Sequence, residues 1–185
     1  MELKLLELAV QYWQFTLVGI LVIVGLIFNR FGSIADPKTQ FEYKKMPLLR
    51  PLPIPTKGRG FWYALYIWLS TNRQWQLEDD WFFSINGQGY VIPALSTFDG
   101  ANFPPPINAW ILPTGVMMIG SIVHDYAYKH KHLMKANMVK DKPKGRKYYD
   151  ELFRDINITV NGFKLLNWIG YAIMRVVGIY YWRAK

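Results

Sequence analysis

Residues 81–92 read WFFSINGQGYVI, two short apolar runs on either side of a turn. The first run, residues 81–85, is aromatic and ends in a β-branched residue, and the second extends from Tyr90 to Leu95. Asn-Gly-Gln-Gly at residues 86–89 has the composition of a tight turn. The pattern therefore predicts two short strands joined by a turn. Because proline cannot donate to a strand ladder, Pro93 places the second strand at a sheet edge or near its own end.

More short elements surround this pair of strands. Residues 75–77 form another strand-like run, whereas residues 61–69 are aromatic and fit a strand or a helix equally well. Three helices are predicted downstream, at residues 114–130, at residues 147–160 and from residue 163 onward. Thr114 is a suitable N-cap for the first of them, and Asn161-Gly162 ends the second.

The predicted fold class is α+β, with an N-terminal transmembrane helix followed by a small domain of short antiparallel strands and about three helices. Residues 1–32 are assigned to the membrane anchor helix and residues 33–56 to a polar, Pro-rich connector. Residues 57–185 form the α+β domain, with a basic insertion at residues 129–147. No internal repeat is apparent in the sequence.

Composition excludes several classes of protein. Hydrophobic residues make up 51% and charged residues 19% of the chain, so an intrinsically disordered protein is excluded. The absence of cysteine excludes disulfide frameworks, thiolate metal sites and cysteine nucleophiles. The net charge of +9 favours an anionic neighbour such as lipid head groups, nucleic acid or a polyanionic substrate.

The N-terminal region contains a candidate membrane anchor. Residues 12–28, YWQFTLVGILVIVGLIF, include no charged residue. At about 1.5 Å of rise per residue, this run and its flanks nearly cross a hydrocarbon layer of about 30 Å. Tyr12 and Trp13 would lie at one interface, where amphipathic rings are enriched. A buried core helix is the alternative interpretation.

Flanking charge predicts the orientation of the anchor. Seven cations follow the apolar run, namely Arg30, Lys38, Lys44, Lys45, Arg50, Lys57 and Arg59. Under the positive-inside rule, this asymmetry places the C-terminal domain in the cytoplasm and gives a single-pass membrane protein. A second apolar run at residues 165–182 is interrupted by Arg175, which is costly in lipid. We therefore favour a buried or interfacial terminal helix over a second span, with Gly170 and Gly178 permitting close packing.

Imidazole and carboxylate chemistry is concentrated around a His-Asp doublet on the first predicted helix of the domain. His124 and Asp125 are adjacent there, with Tyr128 one turn later, and Asp99 and Asp150 are candidate partners. Three carboxylates and one imidazole suit a divalent cation that activates water. Without a metal, the same residues suit general acid–base chemistry with His124 as the base.

These residues also have a structural interpretation. In that alternative, His124 is a core histidine hydrogen-bonded to Asp99, and Asp150 pairs with Arg154 one helical turn away. The candidate catalytic residues are therefore His124, Asp99 and Asp125, and the candidate metal ligands are Asp99, His124, Asp125 and Asp150. A divalent metal is the cofactor that this set would take.

A cluster of cations follows the doublet. Its members are Lys129, Lys131, Lys135, Lys140, Lys142, Lys144, Arg146 and Lys147. A solvated loop is the first interpretation, and contact with anionic lipid head groups of the bilayer is the second. Nucleic acid is a third partner class, which the lack of interleaved aromatic residues disfavours.

Several motifs in order resemble a known family. Ile92-Pro93, Asp99-Gly100-Ala101, Pro104, His124-Asp125, Tyr128, Asp150 and Leu152-Phe153 match its pattern. The chain thereby resembles the phage- and prophage-associated family called domain of unknown function 1353, over about residues 46–182. Asn102 replaces the family's serine, and Phe98 separates Thr97 from Asp99. The resemblance implies a phage or prophage origin and no settled activity.

Two functional hypotheses follow. The first is a membrane-anchored phage-type protein with a hydrolase-like Asp/His-Asp/Asp site that is metal-assisted or uses His/Asp chemistry. The second is a structural or interaction protein of a virion or of an infected-cell membrane, without catalysis. In that case its partners would be phage or virion proteins and the lipid bilayer.

Overall fold

The computed structural model describes residues 11–32, 35–70, 74–99 and 117–183. The helices in these residues are α1 (Trp13–Phe31), α2 (Phe61–Ser70), α3 (Met118–His130), α4 (Arg146–Asn161) and α5 (Lys164–Arg183). The strands are β1 (Phe41–Tyr43), β2 (Leu49–Pro51), β3 (Trp75–Leu77), β4 (Trp81–Ile85), β5 (Gln88–Ile92), β6 (Thr97–Phe98) and β7 (Met134–Lys135). The α+β prediction is confirmed, and the undecided residues 61–69 are helical.

Strands β4 and β5 form the hairpin at the centre of the larger sheet. They pair antiparallel, with Ile85 opposite Gln88. The turn is therefore the two residues Asn86 and Gly87, whose φ angles are 51° and 77°. An Asn-Gly pair tolerates positive φ and matches the twist of the flanking strands. The second strand begins two residues earlier than predicted and ends at Ile92, directly before Pro93.

The segment predicted to be a connector contributes strands to both sheets. β1 pairs with β4, so the four-stranded sheet has the order β1-β4-β5-β7. β2 pairs with β3, giving a three-stranded sheet of order β2-β3-β6. Alternating prolines suit an edge strand, which needs few donors, and Pro51 ends β2 at such an edge. Residues 41–51 are thus part of the folded domain rather than a linker before it.

Helices α3 and α4 pack against each other and close the core. The central buried side chains come from both sheets and both helices, and include Leu77, Ile92, Phe98, Ile122, Val123, Leu152 and Ile156. The chain leaves α4 through Gly162, whose φ of 74° suits a left-handed helix end. The predicted helix stop at Asn161-Gly162 is therefore confirmed. The turn after Asp99 and the predicted helix start at Thr114 lie outside the described residues.

The terminal helix α5 packs on the domain, as predicted. Gly170 lies against Met117 and Phe153, and Gly178 lies against Tyr128, so both glycines permit the close approach expected of them. Leu166 and Met174 cover the same small core. Between residues 129 and 147, the expected basic insertion supplies the end of α3, strand β7 and the start of α4. That segment is thus partly built into the fold.

Helices α1 and α2 both expose large apolar side chains. In α1, residues Trp13–Arg30 are long and apolar enough to cross a membrane, and none of this segment is buried in the protein. A signal sequence or a core helix can have the same length and composition, so this is weak evidence for an anchor. In α2, Phe61, Trp62, Tyr63 and Tyr66 are each more than half exposed.

Candidate functional site

Helix α3 directs His124 and Asp125 to different depths. Successive helical residues are separated by about 100°, so neighbours on one turn face different surroundings. His124 faces α4 and its side chain is only 4% exposed, whereas Asp125 reaches the rim at 13%. Tyr128, one turn later, lies beside the imidazole with 4.0 Å between ring centroids, as the spacing predicts. The doublet therefore joins a buried group to an accessible one.

Asp150 on α4 contacts His124 and three further side chains. Its side chain is fully buried. Oδ1 lies 3.1 Å from His124 Nε2 and also accepts the Tyr128 hydroxyl. Oδ2 accepts Arg175 Nη1 at 2.9 Å, and Arg146 Nη1 lies 3.6 Å away. One carboxylate thereby connects α3, α4 and α5.

The charged groups of this network shift one another's pKa toward the charged form. Burial alone would raise the pKa of Asp150, but hydrogen bonds from His124, Tyr128 and Arg175 hold it below its ordinary value. Burial opposes a charge on His124, yet the Asp125 and Asp150 carboxylates raise the pKa of the imidazole. Burial and the bond to Asp150 also raise the pKa of Tyr128. The two carboxylates therefore favour the protonated form of His124, and Nε2 donates to Asp150.

Asp99 and Asp125 form a second, more accessible group. The Asp99 backbone N–H donates to Asp125 Oδ2 at 3.3 Å, which brings the end of β6 against α3. Burial raises the pKa of Asp99 to about 6, and the neighbouring Asp125 carboxylate adds to the rise. Lys129 opposes this rise through its positive charge. Asp99 therefore titrates closer to neutral pH than an ordinary aspartate, as the acid of an acid–base pair must.

We expect the raised pKa of Asp99 to make stability fall as the pH increases from about 4 to about 6. In that interval the folded protein keeps a proton that an unfolded Asp99, with its ordinary pKa of 3.8, has lost. Asp99→Asn cannot ionise, so it should gain about 2 kcal/mol relative to the parent protein between pH 4 and pH 7. Urea unfolding of the full chain in mild detergent at both pH values measures this difference. An equal change at both pH values would contradict it, and Asp79→Asn is the exposed control.

The four expected metal ligands do not converge on one point. Asp150 lies at Nε2 of His124, whereas Asp125 lies 3.6 Å from Nδ1, on the other side of the ring. The oxygens of Asp150 already accept Tyr128, His124 and Arg175. Within the described ranges, no three His, Asp or Glu side chains are grouped so that they could hold a metal ion. The arrangement does not fit a single cation bound by all four residues.

The structural alternative is also only partly correct. His124 is a core histidine, but its partner is Asp150 rather than Asp99. Arg154 binds its neighbour Asp155, at 2.8 Å from Nε and 2.6 Å from Nη2, instead of Asp150. The partner that sequence analysis missed is Arg175. An arginine in the middle of an otherwise apolar helix needs a buried acid nearby. The position of Arg175 in the sequence could therefore have indicated an acidic partner.

A cleft is lined by the sequence neighbours of Asp99 and Asp125, although neither carboxylate itself lines it. Its volume is about 380 Å³, within the range of small-molecule pockets. It is lined by Leu77, Ile92, Ala94, Leu95, Ser96, Thr97, Phe98, Ile122, Tyr126, Lys129 and His130. Phe98 directly precedes Asp99, and Tyr126 directly follows Asp125. The lining is thus mainly apolar, and its polar members include Ser96, Thr97 and Lys129.

Several of the predicted lipid-contact cations contact other residues of the protein. Lys129 donates to the Thr97 carbonyl, and Lys131 donates to the Trp182 carbonyl at 2.8 Å while lying 3.7 Å from its ring. Arg146 donates to the Arg175 carbonyl at 2.9 Å. Lys135 pairs with Asp141, Lys144 lies over the Tyr148 ring, and Lys147 is near Glu151. Lys140, Lys142, Lys144 and Lys147 are exposed at the surface.

Comparison with known proteins identifies one family. The model of the family described as protein of unknown function (DUF1353) matches residues 75–174. This range includes Asp99, His124, Asp125 and Asp150, and it ends one residue before Arg175. No curated protein and no solved structure matches the chain. The matched range covers more than half of the sequence, and the chain therefore belongs to the DUF1353 family.

Proposed function

We propose that this protein is a membrane-anchored, hydrolase-like enzyme in which Asp99 and Asp125 act as an acid–base pair. The observation that carries the proposal is the contact between these two residues, each of which is next in sequence to a residue that lines an apolar cleft. The pKa of about 6 for Asp99 supports it, because this carboxyl group keeps its proton to a higher pH than an ordinary aspartate and can donate it under mildly acidic conditions. Two carboxyl groups in different protonation states can serve as acid and base in one reaction.

Asp99, whose pKa is raised, takes the role of the acid, and Asp125 takes that of the base. Asp125, as carboxylate, accepts a proton from a water molecule while the water oxygen forms a bond to the electrophilic carbon or phosphorus. Asp99, as acid, gives its proton to the leaving oxygen as the old bond breaks, so that charge and atoms balance. His124 is a positioning residue here, since its Nε2 is bound to Asp150 and its ring is buried. The cleft would bind the apolar part of the substrate.

Membrane attachment through α1 is the second part of the proposal. Its support is an apolar segment, Trp13–Arg30, with no residue buried in the protein. The cations after this segment orient the C-terminal domain toward the cytoplasm, where exposed lysines of residues 129–147 can approach anionic lipid. A phage or prophage origin accords with the motifs around Asp99 and His124. A reporter fused after Lys185 tests the orientation, because it would be active only on the cytoplasmic side.

The catalytic proposal predicts that Asp99→Asn and Asp125→Asn each lower hydrolysis at least about a hundredfold, the usual contribution of a general acid or base. The measurement is turnover of carboxylic-ester and phosphoester substrates by the full chain in mild detergent. Asp79→Asn, an exposed acid away from the pair, is the matched control and should keep full activity. Thermal unfolding must show that both variants remain folded.

Three results would contradict this assignment. They are an unaltered rate in both variants, a rate that disappears in EDTA and returns with a divalent cation, and no hydrolysis of either substrate class by the parent protein.

A structural or interaction role is the second candidate, favoured by the exposed aromatic residues of α2. Phe61, Trp62 and Tyr66 are 72%, 78% and 65% exposed, an apolar surface that soluble monomers seldom leave uncovered. Under this hypothesis the protein assembles with itself or with phage or virion proteins. Sedimentation in mild detergent tests it. A monomer that is fully active would exclude it, and a stable assembly without hydrolytic activity would support it.

A further inference from the structure

Helix α5 has two different faces. Its inner face packs on Met117 and Phe153, and Arg175 reaches from it to the buried Asp150. Its outer face carries Ile169, Val176 and Tyr180, which are 42%, 73% and 76% exposed. These residues are spaced at i, i+7 and i+11, which places them within about 20° of one line along the helix. The helix therefore presents a continuous apolar stripe away from the domain.

The start of α5 contacts the end of the candidate anchor. Asn29 Nδ2 donates to the Gly162 carbonyl at 2.9 Å, and Lys164 N–H donates to Asn29 Oδ1 at 2.7 Å. Farther along the anchor, the Leu165 side chain lies against Gly25. Gly25 is inside the apolar segment of α1, so the first turn of α5 is at the depth where that segment would enter the bilayer.

The side chains of α5 also suit a lipid surface. The helix contains no acidic residue that anionic head groups would repel. Its cations Lys164 and Arg175 are paired with Asp36 and Asp150, so the outer face is mainly apolar. Tyrosine is enriched at membrane interfaces, and Tyr180 and Tyr181 are both more than half exposed near the end of the helix. An apolar stripe with exposed aromatic residues suits a helix lying in the membrane plane.

We propose that α5 lies along the bilayer surface, with Ile169, Val176 and Tyr180 in the boundary between head groups and acyl chains. This inference rests on the proposed anchoring by α1. It adds a lipid-binding surface on the domain, formed by the outer face of the helix whose Arg175 binds Asp150. The buried Asp150 is consequently separated from the lipid by about the diameter of one helix, roughly 10 Å.

The absence of cysteine from the chain makes a single-label experiment direct. Val176→Cys on α5, Leu21→Cys on α1 and Asn137→Cys on the β7 turn are each labelled with an environment-sensitive NBD fluorophore. Each full-length variant is reconstituted into vesicles of phosphatidylcholine and phosphatidylglycerol, with and without spin-labelled lipid. We expect quenching at Val176 and Leu21 to exceed that at Asn137 by about twofold or more, since only lipid-embedded probes approach the quencher.

The outcomes separate this inference from the anchoring on which it rests. Quenching at Leu21 but not at Val176 would retain the anchor and overturn the position of α5. A lack of quenching at both positions would overturn both proposals. Blue-shifted emission at Val176 that is insensitive to spin-labelled lipid, and that persists in detergent, would identify a protein contact such as a second copy of the chain. That result would also overturn the lipid assignment.

Discussion

Asp150→Asn is expected to destabilise the protein by about 4 kcal/mol, the typical cost of removing one partner from a buried ion pair. The substitution preserves the size of the side chain but removes the charge that faces His124, Arg175 and Arg146. Because Asp150 is fully buried, water cannot replace it as a partner for those groups. In a protein of this size, the loss corresponds to a melting temperature lower by roughly 12 °C.

Thermal and urea unfolding of the full chain in mild detergent measure this effect. Asp79→Asn makes the same chemical change at an exposed position and should alter stability by less than about 0.5 kcal/mol. Asp99→Asn should also leave the domain folded. The comparison distinguishes the stabilising role of the buried Asp150 from the role of the more accessible Asp99–Asp125 pair. An Asp150→Asn variant as stable as the parent protein would contradict the network, because His124 and Arg175 would then have no need of the carboxylate.

Local chemistry made much of the fold predictable. The strand of residues 81–85 and the helix stop at Gly162 each depend on a few neighbouring residues, and each is found as predicted. A turn follows Ile85 as predicted, but it comprises Asn86 and Gly87 alone rather than residues 86–89. By contrast, the sequence predicts a connector where the structure has β1 and β2. These strands pair with strands about 25 to 45 residues away, so neighbouring residues do not reveal them. Short edge strands that contain proline have little local preference, so their pairing is set by the sheet they join.

The candidate site was predictable in its members but not in its geometry. Spacing on a helix placed Tyr128 beside His124, as found. It could not show that Asp150 and Asp125 lie at opposite ring nitrogens of His124, because that depends on how α4 crosses α3. Arg175 was interpreted only as a cost to membrane insertion. Its favourable role depends on Asp150, which is 25 residues away in the sequence.

A double substitution in α1, Leu21→Arg with Val24→Arg, is expected to remove the protein from membranes. Both residues lie near the centre of the candidate span, and both side chains are about half exposed on a helix with no buried residue in that segment. Each arginine at the centre of a bilayer costs about 3 kcal/mol on insertion scales, so the pair costs about 6 kcal/mol. A change of this size should move nearly all of the protein out of the membrane fraction.

Flotation of cell extracts on a sucrose gradient after alkaline washing measures the membrane-bound share. The matched control, Leu21→Ala with Val24→Ala, shortens the same two side chains without charge and should float with the parent protein. If the arginine variant also floats, α1 is not a span. Attachment would then have to come from other surfaces, such as the outer face of α5.

If both variants leave the membrane, insertion depends on the bulk of these side chains, and the anchor is too weakly apolar to tolerate their loss. The difference between the two variants thus isolates the cost of charge in lipid, the property that distinguishes a spanning helix from an exposed helix in water.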